Sequence, residues 1–148
     1  MSIAKPHHII AIGASAGGME EINSFFDHTP VDGVSYVIIQ HLSADYKSRM
    51  VELLARHSKL VVEEATNGTL VECNKVFLIP NDKFMTVQGG RLYLTDKLKG
   101  HTAHLTINTF FNSLAEDFGS KAIGVILSGL GSDGTEGIKA IKKRGVVW

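Results

Sequence analysis

Hydrophobic positions along this chain follow two periods. Residues 9–13 (IIAIG), 34–40 (VSYVIIQ) and 122–128 (AIGVILS) are nearly unbroken apolar runs of strand length. Such runs suit strands buried on both faces. Between them, apolar residues fall three or four apart. Met19, Ile22, Phe25 and Phe26 predict a helix from Gly17 to about Phe26, and Met50, Leu53, Leu54 and His57 stripe a second over residues 45–57. Phe110, Phe111 and Leu114 mark the inner face of a third over residues 107–118, and residues 135–144 read as a fourth. Residues 61–64 have the character of a short strand. The middle, residues 68–96, has a different texture: TLVECNKVFLIP, then two alternating runs on either side of Gly89-Gly90. Glycine supplies the positive φ of a tight turn, so this segment predicts a β-hairpin near residues 84–95.

Buried strands that alternate with amphipathic helices define the α/β class. The expectation is a doubly wound, mainly parallel sheet covered by helices on both faces, with the hairpin inserted into it. A chain of 148 residues suffices for one domain with a core of its own, so residues 1–148 are read as a single unit. No internal repeat, low-complexity tract or linker interrupts it.

Charge and composition narrow the partners. The 15 basic and 15 acidic residues cancel, and the basic ones are scattered. A nucleic-acid partner or membrane surface would call for a concentrated basic face, so neither is expected. No apolar run approaches the roughly 20 residues of a membrane span, and residues 1–5 have no signal-peptide core. The single cysteine, Cys73, excludes an internal disulfide and suits a reducing compartment; a core or surface thiol is its simplest reading. The expected location is the cytoplasm.

In doubly wound sheets, ligands sit beyond the carboxyl ends of the strands. Three of the apolar runs end in chemistry there. The first leads into Gly13-Ala14-Ser15-Ala16-Gly17, the second into Gln40-His41, and the third into Gly129-Leu130-Gly131-Ser132-Asp133-Gly134. Ser15, His41 and Asp133 would thus be delivered to one sheet edge. A serine hydroxyl needs a base to become a nucleophile, an imidazole serves near neutral pH, and a carboxylate fixes the imidazole's tautomer. The G-x-S-x-G spacing also matches a nucleophile turn between strand and helix. Each residue has a plainer role as well. Ser15 could be a helix N-cap, Asp133 could cap the helix that begins near Thr135, and His41 could be an ordinary loop histidine. A glycine-rich turn also suits phosphate, although the spacing is neither G-x-G-x-x-G nor G-x-x-x-x-G-K-[ST]. The joint placement favours catalysis, because unrelated caps need not supply complementary roles.

The remaining histidines carry less. His101 and His104 lack a third ligand at metal-binding spacing, His7 and His8 precede the first strand, and His28 follows a helix. His57 is placed in a last helical turn, where a cation complements the dipole.

The segments IAIGASAGG, VIIQHLS, VFLIPND and GVILSGLGSDGTEGIKAI resemble the catalytic domain of CheB-type protein-glutamate methylesterases of bacterial chemotaxis. The similarity runs over most of the chain and preserves the order Ser, His, Asp. The resemblance implies Ser15 as nucleophile, His41 as base and Asp133 as its orienter. It makes the backbone N–H groups of Leu130 and Ala16 the oxyanion donors. It implies hydrolysis of glutamate methyl esters on methyl-accepting chemotaxis receptors, with deamidation of glutamines as a related activity. No metal or organic cofactor is implied. Four departures stand out: no receiver domain is expected ahead of this one, Ala16 replaces a common Thr, Leu130 replaces a usual Met, and the chain stops at Val146-Val147-Trp148 where the family continues. The last predicts a domain short of its C-terminal segment, able to self-associate through the cut edge, or one module of a protein fused to or partnered by a receptor methyltransferase. The alternative to an enzyme is a regulatory or binding module of the same fold with impaired catalysis.

Overall fold

The unbroken apolar runs become the centre of a parallel sheet. The computed structural model describes residues 6, 8–14, 19–40, 44–80, 82–97, 106–127, 135–144 and 146–147. In chain order these form β1 (Ile9–Ala14), α1 (Met19–Asp27), β2 (Ser35–Gln40), α2 (Ala44–Ala55), β3 (Val61–Glu64), β4 (Thr69–Leu70) and β5 (Lys75–Leu78). They continue with β6 (Lys83–Gln88), β7 (Arg91–Asp96), α3 (Thr106–Phe118), β8 (Ala122–Leu127), α4 (Thr135–Arg144) and β9 (Val146–Val147). A 3₁₀ turn, Gly119–Lys121, links α3 to β8. Among the described residues, no helix is long and apolar enough to cross a membrane.

Six strands, all parallel, lie in the order β3-β5-β2-β1-β8-β9. Their side chains alternate between two cores, as the period of two requires. Ile9 and Ala11 of β1, Val37 and Ile39 of β2, and Phe77 of β5 face one core, which α3 and the hairpin close with Ile107, Phe110, Phe111, Leu114, Met85 and Val87. Ile12 and Ala14, Tyr36 and Ile38, and Val76 and Leu78 face the other, closed by Ile22 and Phe26 of α1 and Met50 and Leu54 of α2. Helices on both faces make the sheet doubly wound, as expected. On the second face Phe25, Phe26 and Tyr36 meet edge to face with centroids 5.1 to 5.8 Å apart. That geometry favours aromatic pairs and holds α1 on β2.

The hairpin is one residue longer at each end than the alternation predicts, with β6 pairing β7 from Lys83↔Asp96 to Gln88↔Arg91. Gly89 (φ 59°) and Gly90 (φ 75°) form its turn. The Asp117 carboxylate on α3 accepts both of their N–H groups, at 2.8 and 3.0 Å, and Ser113 Oγ accepts the Val87 N–H at 3.0 Å. With β4 the hairpin makes a separate three-stranded sheet. The neighbouring stretch, similar to it in sequence texture, divides differently: β5 leaves it and enters the parallel sheet between β3 and β2. His57 also differs from expectation. It lies beyond the end of α2 and its Nδ1 meets Asp27 Oδ1 of α1 at 2.8 Å, so it ties two helices rather than serving one helix's dipole.

Candidate functional site

Where the strands stop decides what can meet. β1 pairs in register with β2 on one side and β8 on the other, so Ala14 lies opposite both Gln40 and Leu127. All three strands run parallel and end level. Parallel neighbours are about 4.8 Å apart, so the chain leaves the sheet at three points within about 10 Å. Successive crossovers from β1 go toward β2, while the later passage through α3 goes to β8 on the opposite side. The winding therefore reverses between β1 and β8, which is the switch point where sheets of this kind open a crevice.

Among the described residues four helices begin at this edge, α2 at Ala44 after β2 and three others. The first turn of α3 lies over the end of β1: a Cβ placed on Gly13 would stand 2.9 Å from both Cδ1 and Cγ2 of Ile107. The position thus needs a residue with no side chain for α3 to settle so closely. α4 starts at Thr135 after β8, and α1 starts at Met19 after β1. The positive ends of their dipoles point toward the carboxyl edge, where negative charge is favoured. Glu20 and Glu21, both exposed in the first turn of α1, already answer part of that field.

Ser15, Ala16, His41, Leu130 and Asp133 all lie outside the described residues. What is described is their anchorage in the chain. Ser15 follows Ala14 directly and His41 follows Gln40 directly, while Asp133 falls between the end of β8 and the start of α4. Five residues separate Leu127 from Asp133 in sequence, and the six residue-to-residue steps can span up to about 20 Å. That reach exceeds the roughly 10 Å between the ends of β8 and β2. His101 and His104 lie outside the described residues too. Among the described residues no cluster of three or more His, Cys, Asp or Glu is placed to hold a metal ion.

Away from this edge, Tyr36 at the start of β2 has its phenol pushed up to about 12 by burial, with Asp32 adding to the effect. Cys73 is half-buried and unbridged, its Sγ accepting from Asn74 Nδ2 at 3.8 Å. One residue at the site edge escaped the sequence reading. Asn108 on α3 is buried, and its Oδ1 accepts the N–H of Gly137 in the first turn of α4 at 2.8 Å. A lone amide among Ile107, Phe110 and Phe111, on the apolar face of a helix, was the signal that could have found it.

An open, doubly wound sheet whose three central strands end level beside the switch point defines an α/β protein, a class in which ligands are taken up at that edge. Residues 10–148 match the CheB methylesterase family model, and the chain belongs to that family. Among curated proteins it is 35% identical over 146 residues to protein-glutamate methylesterase/protein-glutamine glutaminase 2 of Vibrio vulnificus (strain YJ016), covering 95% of this chain and 42% of that one. It is 36% identical over 143 residues to protein-glutamate methylesterase/protein-glutamine glutaminase 1 of Caulobacter vibrioides, covering 93% and 41%. The chain thus spans about two fifths of the length of these relatives. Among solved structures, the Thermotoga maritima CheB methylesterase catalytic domain superposes with a TM-score of 0.83 at 29% identity, over 95% of this chain and 77% of that one.

Proposed function

We propose that this chain is a serine hydrolase that removes methyl groups from glutamate esters on chemotaxis receptors. The observation that carries the reading is the level ending of β1, β2 and β8 beside the switch point, with Ser15 and His41 next in sequence to two of those ends and Asp133 in the segment after the third. The names of the relatives agree with it.

In this reading Ser15 Oγ attacks the ester carbonyl while His41 takes its proton, and a tetrahedral oxyanion forms. The N–H groups of Leu130 and Ala16 receive the oxyanion, where fixed donors act without reorganisation. The C–O bond to methanol then breaks, and the leaving oxygen takes the proton from His41. Water, deprotonated by the same imidazole, hydrolyses the acyl-enzyme to glutamate and free Ser15. Asp133 holds the imidazole tautomer and stabilises the cation formed at each step. A glutamine amide in place of the ester would release ammonia by the same route. Residues 1–148 belong to a catalytic domain short of its C-terminal segment, working in the cytoplasm on receptor signalling segments, with a receptor methyltransferase as its natural counterpart.

Methanol release from a methylated receptor fragment tests the reading, alongside labelling by a fluorophosphonate. Ser15→Ala and His41→Ala should each abolish turnover, and Asp133→Asn should lower kcat about 10²–10⁴-fold. The Ser15→Ala, His41→Ala double variant should be no slower than either single one, as expected of residues that act as a unit. If Ser15→Ala retains most of the activity, the serine is a helix cap and the mechanism is wrong.

A further inference from the structure

Two consecutive residues of α3 touch both arms of the site. Ile107 seats its Cδ1 and Cγ2 against Gly13, two residues before Ser15 in sequence. Asn108, beside it, accepts the Gly137 N–H through Oδ1 at 2.8 Å, four residues after Asp133. Gly137 is the third residue of α4, so its N–H belongs to the first-turn donors that no carbonyl of the same helix can satisfy. The bond is therefore a cap supplied from another helix. The two helices also approach closely at this point. A Cβ on Gly137 would lie 2.5 Å from Phe111 Cβ and 3.1 Å from Asn108 Cα, which leaves room for hydrogen only. Asn108 is 6% exposed, so water does not compete for the bond.

We infer that Asn108 is a positioning residue, which fixes the start of α4, and with it the segment that carries Asp133, relative to the end of β1, which leads into Ser15 and which Ile107 holds through Gly13. The inference rests on the hydrolase reading above. The first turn of α3 acts as one rigid bracket: it meets the end of β1 by packing and the start of α4 by a buried hydrogen bond. Without the bond, α4 keeps its apolar contacts through Ile141 but loses what sets its N-terminal turn along and around the helix axis. An orienting carboxylate must sit within hydrogen-bond reach of its imidazole, and a misplacement of about 1 Å far from the chemistry can lower rates about 10²-fold.

The test is steady-state methanol release by the whole protein, with the pH profile of kcat/KM and with thermal melting to confirm folding. Asn108→Ala should lower kcat about 10- to 100-fold with KM within about twofold. The acid limb of its profile should move to lower pH, because an imidazole less firmly held by a carboxylate loses part of what favours its cation. Asn108→Asp, which keeps an acceptor at the same place beside a helix N-terminus, should restore most of the rate. In an Asp133→Asn background, Asn108→Ala should bring little further loss. Should Asn108→Ala fail to fold, Asn108→Ser, whose hydroxyl falls short of Gly137, carries the same expectations. A folded variant with an unchanged rate, or a loss that is fully additive with Asp133→Asn and leaves the acid limb in place, overturns the inference. A wild-type protein no faster than Ser15→Ala instead overturns the hydrolase reading, and the inference falls with it.

Discussion

Adding one carbon at Gly13 should expose how tightly α3 is seated on the end of β1. The Gly13 backbone is outside the positive-φ region, so alanine meets no conformational barrier there. The trouble is space. The new Cβ would stand 2.9 Å from Cδ1 and Cγ2 of Ile107 and 3.3 Å from its Cγ1, and Ile107 is fully buried. Overpacking of this kind destabilises by about 1–3 kcal/mol. Replacing glycine by alanine recovers about 0.4–1 kcal/mol by restricting the unfolded chain. The net expectation for Gly13→Ala is a loss of about 1–2 kcal/mol in urea denaturation, with an unchanged m-value. Ile107→Ala alone should lose about 2–5 kcal/mol by leaving a cavity. The double variant should be more stable than the sum of the two, since the new methyl then enters the space that Ile107 vacates. A coupling of about 1 kcal/mol or more is expected. Effects that add to within about 0.5 kcal/mol would refute the contact, and a Gly13→Ala protein as stable as the parent would refute the argument for the glycine.

Two further outcomes can be checked without knowing the substrate. Asp117→Ala removes the acceptor of the Gly89 and Gly90 N–H groups and should destabilise the hairpin by about 1–3 kcal/mol, read as faster amide exchange at those glycines while β1 and β2 stay protected. The Tyr36 phenol, raised from 10.0 to about 12 by burial and then by Asp32, holds its proton more tightly folded than unfolded. Its contribution is intact below about pH 10 and fades as pH rises toward 12, on the order of 2–3 kcal/mol in all, so Tyr36→Phe should flatten that alkaline decline in denaturation experiments.

How much of this can be read from sequence depends on whether the information is local. β1, β2 and β8 are legible because a strand buried on both faces is apolar along its length, and the same run shows where it stops. Ser15 and His41 can be proposed for that reason alone, as each is the next residue in sequence. The pattern groups β5 with the hairpin because its four residues, KVFL, say strand without saying which sheet. Its partners, β3 and β2, are chosen by the path of the crossovers, and no local period encodes that. His57 reads as helical for a similar reason: its spacing fits the stripe of α2, whereas its partner Asp27 is 30 residues away.

The glycines carry the sharper lesson about the candidate site. In the G-x-S-x-G pattern, Gly13 first reads as a residue that frees the backbone for a sharp turn. In the structure it is still inside β1, paired with Ile39 and Ile126, and its missing side chain makes room for Ile107. Gly137 does the same for Phe111 and Asn108 one helix away. Both absences are read by the first two turns of α3, so the pattern that suggests a nucleophile turn also records a helix docked against the strand that leads into it. A motif of small residues here reports packing as much as chemistry, and the two separate by experiment: variants at Gly13 should change stability first, and variants at Ser15 should change turnover with stability kept.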